Sequence, residues 1–226
     1  MDARSTRQGI IAVVVVALLA LATAAATKSS GTVRVVHPGD TVGITDAQRS
    51  AGLRFAPDGT AGDRAWIEAA IASARPEAKP LIDAVDGLVE IRTVPGGDPL
   101  GLTSTSVVGD AASFTIDLNI AELDGRRAQD RDVVVLHELG HVIDHALVPQ
   151  DLNDRLEAGI PRTGPCGRFP EGLTGSCTEP AERFADTFAK WALRGRVSVV
   201  GAGYGVANPP SLEDWGAPLI ALANEQ

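Results

Sequence analysis

The sequence predicts an α+β fold, and three observations carry that expectation. Between Ser113 and Ile120 the apolar residues Phe114, Ile116, Leu118 and Ile120 alternate with Thr115, Asp117 and Asn119. That is the period of a strand with one buried face. A long apolar segment then starts near Arg127–Asp132 and ends by Pro149, a helical length. A second helical pattern runs from about Glu179 to Arg194, with Ala181, Phe184, Ala185, Phe188 and Ala192 as its apolar stripe. Once the N-terminus is set aside, roughly 170 to 190 residues remain, a length that suits one domain.

In chain order, Gly9 to Ala26 is continuously apolar apart from Thr23 and comes after Arg4 and Arg7. Such a run is about long enough to cross a bilayer, and the leading positive charge predicts export of the downstream chain. Residues 1–27 are therefore read as a signal anchor or, given the small residues Ala22 to Ala26, a cleavable signal peptide. Residues 28–46 read as a linker or first strand, with His37 a surface residue. Residues 47–226 read as the folded domain. Within it, Thr45 to Arg54 suggests a short helix. Gly62 to Ser73 suggests a helix whose face carries Ala65, Trp66, Ala69, Ala70 and Ser73. Leu81 to Val85 adds a further turn or two after Pro76 and Pro80. Leu88 to Val94 reads as a strand closed by Pro95-Gly96-Gly97. Thr103 to Val108 and Ser113 to Ile120 form an expected hairpin around Gly109-Asp110. Residues 150–178, rich in Gly and Pro, read as a long loop. Val197 to Tyr204 is strand or loop, and Ser211 to Asn224 a closing helix.

The chain carries net charge −9 with no basic run, which argues against nucleic acid as a partner. Aromatic residues are scarce, so the core is expected to use small aliphatics. Cys166 and Cys177 are the two cysteines. An even count in an exported chain reads as a disulfide, and it would tie down the long loop.

Residues 137–145 read HELGHVIDH and hold three of the four histidines. His137 and His141, four apart on a helix, share one face, so their rings converge on one ion. Glu138 completes the HExxH pattern, in which two histidines bind zinc and the glutamate acts on its water. The flanks are apolar almost all round, which predicts a buried helix. Buried histidines and a buried glutamate need partners, and metal coordination satisfies them together. Gly140 costs roughly 1 kcal/mol relative to alanine in a helix interior, which predicts a close neighbour such as another helix.

The stretch VVLHELGHVID resembles the active-site helix of zincin metallopeptidases. A third ligand must come from elsewhere. His145 lies about 12 Å along the axis from His137 and cannot share its ion. The segment EPAERFADTFAKW resembles the second helix of glutamate-zincins of the anthrax lethal factor and Pro-Pro endopeptidase type. That resemblance implies Glu182 as third ligand and Asp186 as a group steadying a ligating histidine. Glu179 is the second choice for ligand, and Glu182 could alternatively serve in a helix cap behind Pro180. Asp144, near the ligand face, is placed to hydrogen-bond a ligand or to lie exposed at the helix end.

The resemblance implies a zincin-like fold, with a small mixed or antiparallel sheet packed on the active-site helix. It implies an exported, zinc-dependent metalloendopeptidase acting on a peptide or protein substrate, with Glu138 as base. In the lethal-factor type a tyrosine precedes the third ligand, but residues 171–181 contain none. Tyr204 and His145 remain as candidates to hold the oxyanion. The strand Ser113 to Ile120 is the expected docking edge for an extended substrate. The alternative function is an exported zinc-containing binding domain without turnover.

Overall fold

The computed structural model describes residues 52–96, 99–108, 111–125, 127–162, 179–197 and 206–225. The segments 1–27 and 28–46, His37, the turn Gly109-Asp110, Cys166, Cys177 and Tyr204 lie outside the described residues. Among the described residues no helix is long and apolar enough to cross a membrane.

The first elements are β1 (Arg54–Phe55), α1 (Ala61–Ala72) and α2 (Lys79–Val85). Arg54 thus begins a strand rather than ending a helix. Thr60 caps α1: its hydroxyl accepts from the Asp63 amide at 3.1 Å, and Asp63 accepts from the Thr60 amide at 2.9 Å. This reciprocal box satisfies two amides that a helix start leaves open. The buried face of α1 is Ile67, Ala70 and Ile71 with Asp63; of the face expected from spacing Ala70 is buried, Trp66 and Ser73 are half-buried, and Ala65 and Ala69 are exposed. The two isoleucines, one turn apart, bury far more apolar area than alanines, so they decide which face turns inward. Trp66 is left half-buried, with the Arg131 guanidinium 4.8 Å above its ring.

Strand β2 (Val89–Val94) comes after a short 3-10 turn, Asp86–Leu88. Strands β3 (Gly101–Val108) and β4 (Ala111–Asn119) come next. The sheet is mixed, in the order β1-β2-β4-β3. β1 and β2 are parallel, as are β2 and β4, and β3 runs antiparallel to β4. The parallel β1–β2 pair needs a crossover, which α1 and α2 supply. Alternation is clean: Val89, Ile91, Ala112, Phe114, Ile116 and Leu118 are buried. Arg92 and Asp117 lie on the other face, joined by two hydrogen bonds of 2.6 and 2.7 Å. β4 is paired on both sides, so Ser113 to Asn119 offers no free edge, and Ile120, expected as the strand's last apolar residue, instead begins a helix. Among the described residues no strand pairs with the other side of β3, which forms the sheet edge opposite β1.

A single-turn helix α3 (Ile120–Leu123) and a 3-10 turn (Ala128–Asp130) lead into α4 (Arg131–Ala146). Every residue of α4 from Val133 to Asp144 is buried, as its apolar flanks predict. Residues 150–158 are helical, correcting the expected loop: α5 (Gln150–Ala158) starts behind Pro149 and buries Leu152, Asn153 and Leu156. Leu152 and Leu156, one turn apart, supply the apolar stripe that holds this short helix. Helix α6 (Pro180–Ala192) has Pro180 as its first residue, where the missing N–H costs nothing. α7 (Leu212–Ala223) is capped by Ser211, whose hydroxyl accepts from the Asp214 amide at 3.1 Å. Helix α4 packs against α1, α2, α6 and the strands β3 and β4. Trp215 of α7 donates its indole N–H to Leu156 O at 3.0 Å, which fastens α7 to α5.

Candidate metal centre

Helices α4 and α6 bring three side chains to one point. His137 Nε2 lies 3.1 Å from Glu182 Oε2 and 3.1 Å from His141 Nε2. His141 Nε2 lies 3.5 Å from Glu182 Oε1. Among the described residues, His137, His141 and Glu182 form a group able to hold a metal ion. The donor chemistry fits a cation. One ring nitrogen has a single lone pair or a single proton, yet His137 Nε2 faces both a carboxylate oxygen and a second imidazole nitrogen. A cation between the three accepts a lone pair from each.

The helix crossing that makes this possible is close. A Cβ on Gly140 would meet Ala185 Cα at 2.9 Å and Ala185 O at 3.2 Å. Gly140 is three residues beyond His137 and Ala185 is three beyond Glu182, so contact at one pair sets the other. Arg183, 3 % exposed, fixes the start of α6. Its Nε donates to Glu157 at 2.5 Å and one terminal nitrogen donates to Ile160 O at 2.7 Å.

Burial by itself would raise the Glu182 carboxyl. Hydrogen bonds and charge from His137 and His141 outweigh it and hold the group well below the ordinary carboxylate range. For His141 burial works to lower the pKa, but the Glu182 hydrogen bond and the charges of Glu138, Glu182 and Asp144 leave it raised.

Glu138 is 2 % exposed and does not join the three ligand candidates. Its carboxylate turns to β3, where Thr103 Oγ1 donates to Oε2 at 2.7 Å. Gly101 lies against the same carboxylate. Neither Gly101 nor Thr103 stands out in the sequence. A glycine and a threonine at a strand start carry no motif, and only sheet register turns them toward α4.

The remaining sequence candidates fall into different places. Asp144 is fully buried and accepts a hydrogen bond from Asn153 Nδ2; its influence on His141 is electrostatic. It is therefore neither exposed at the helix end nor hydrogen-bonded to His141. Burial pushes its pKa up to about 7, against the lowering effects of Asn153 and His141. Asp186, also fully buried, pairs with Lys190 Nζ at 2.5 Å. His145 lies beyond the cluster, its ring centroid 6.5 Å from that of Phe114. Glu179 is exposed at the N-cap of α6 and makes no side-chain cap bond. No family model, curated protein or solved structure matches this chain.

Proposed function

We propose that this chain is a zinc-dependent metalloendopeptidase. The observation that carries the reading is the convergence of His137, His141 and Glu182 from two helices, with Glu138 buried beside them. Donor separations of 3.1, 3.1 and 3.5 Å suit this role. Ligands about 2.0–2.1 Å from zinc at tetrahedral angles stand roughly 3.3–3.4 Å apart. Two imidazoles and one carboxylate also leave a fourth position, as catalytic zinc sites do. Zinc, when bound, supplies a Lewis acid that polarises a carbonyl and acidifies a water.

The chain's own residues do the rest. Glu138 takes a proton from the attacking water at its carboxylate and delivers it to the leaving amine. Strand β3, the sheet edge among the described residues, runs past Glu138 and receives an extended peptide by main-chain pairing. Leu102, 50 % exposed on that strand, offers it an apolar side chain. Export of the domain rests on the apolar run Gly9–Ala26.

The deciding experiment compares wild type and Glu138→Ala, both loaded with zinc, on a broad peptide library. Hydrolysis lost in the variant with zinc retained supports the reading. Hydrolysis that survives the change would sink it. Zinc binding with no hydrolysis in wild type would instead favour a binding domain without turnover.

A further inference from the structure

We infer that Gly101 and Thr103 of β3 form a cradle that positions the Glu138 carboxylate. Gly101 pairs with Leu118 and Thr103 with Ile116, so both lie on the sheet face whose residues are buried against the helices. From there they address the two carboxylate oxygens separately. Thr103 Oγ1 donates to Oε2 at 2.7 Å. At Gly101 a Cβ would fall 2.7 Å from Glu138 Cγ, 2.8 Å from Cδ and closer still to Oε1. Any side chain there would occupy the carboxylate's place. The two residues, flanking Leu102 in the chain and on one sheet face, thus give one oxygen a donor and the other a space.

This cradle has a chemical consequence. A glutamate side chain has three rotatable torsions, and ordering it costs conformational entropy. A base must already point at its proton for transfer to be fast. The hydroxyl and the glycine hold Glu138 near that orientation before substrate arrives, and they do so from the strand that offers the substrate's docking edge. Thr103 and Gly101 are positioning residues. Their assignment as helpers of catalysis rests on the peptidase reading, whereas their hold on the carboxylate does not.

Metal-free protein tests the hold directly. Urea unfolding of Thr103→Val, Glu138→Ala and the double variant gives a coupling between the two side chains. A hydrogen bond to a charged group predicts roughly tenfold in the unfolding constant. Repeated in Gly101→Ala, the same cycle should fall below ~2-fold, because the new methyl has displaced the carboxylate. Coupling below ~2-fold in the parent, or equal coupling in both backgrounds, overturns the cradle. These measurements use neither zinc nor substrate, so an inactive wild type would sink the peptidase reading and leave the cradle standing or falling by the cycle. In zinc-loaded protein, Thr103→Val should lower kcat by roughly 10- to 100-fold with KM and zinc content unchanged, and Thr103→Ser should recover most of the loss. A loss carried by KM or by zinc content overturns the positioning role.

Discussion

Gly140 of α4 lies against Ala185 of α6 so closely that a Cβ on the glycine would meet Ala185 Cα at 2.9 Å. The obstacle is backbone, which cannot swing aside. Gly140→Ala should therefore destabilise the fold by about 1–3 kcal/mol through overpacking. The better helix propensity of alanine offsets this by roughly 1 kcal/mol. Because the same crossing sets the distance from His137 to Glu182, zinc affinity should fall with stability. Urea titration and zinc titration of the variant check both; an equally stable variant with unchanged affinity would show that the helices separate freely.

Zinc content tests the three ligand candidates. Wild type purified gently should carry about one zinc per chain, and His137→Ala or Glu182→Ala less than ~0.2. Elemental analysis beside circular dichroism separates a lost ligand from a lost fold. A Glu182→Ala protein that keeps its zinc would move the third ligand elsewhere.

Asp144 predicts a pH dependence in the metal-free protein. Its folded pKa of about 7 stands above the ordinary aspartate value of 3.8. The folded state therefore holds this proton where the unfolded state has released it. Its stabilising contribution is complete below about pH 4 and is lost as pH rises to about 7. Asp144→Asn can still accept from Asn153 but cannot ionise. Relative to wild type the variant should gain stability as pH rises from about 5 to 7, by at most ~1.4 kcal/mol per unit. Denaturation curves at several pH values give the slope; a constant difference would place the Asp144 pKa outside that range.

Arg183 is predicted to matter although it touches none of the ligand atoms. Its side chain and that of Glu157 are 4 % and 12 % exposed and meet at 2.5 Å. Arg183→Met takes from Glu157 its closer partner, leaving Arg162 at 3.9 Å, and frees the carbonyls of Ile160 and Pro161, a loss of about 3 kcal/mol, the low end for a broken buried pair. Chemical denaturation measures it. A cost under ~1 kcal/mol would mean that the ion pair is solvated in solution.

Much of this arrangement is legible in the chain. Alternation in Ser113–Ile120 marks β4, because a strand with one buried face must repeat every two residues. The apolar flanks of HELGH mark a buried helix, and Gly140 marks a close neighbour, which is α6. Helix α5 escapes the pattern: its stripe is only Leu152 and Leu156 within a polar stretch, too short for periodicity to stand out. The buried face of α1 differs from the expected one because spacing weighs alanine equally with isoleucine. Ser113–Ile120 is not the docking edge expected of it, since strand order is not encoded in any one strand's pattern.

The sequence by itself determined which helix carries His137, Glu138 and His141, since a spacing of four fixes a shared face through local geometry alone. It also supplied Glu179, Glu182 and Asp186, the acidic candidates for a third ligand at and beyond the start of α6. Only the tertiary structure decided that Glu182 meets the histidines while Glu179 remains at the surface, that Asp186 pairs with Lys190, and that Asp144 turns to Asn153. It alone brought Gly101 and Thr103 to Glu138. The reason is physical: a helix sets directions within its own few turns, whereas contacts across 35 to 45 residues depend on how close two backbones come and on the register of a sheet.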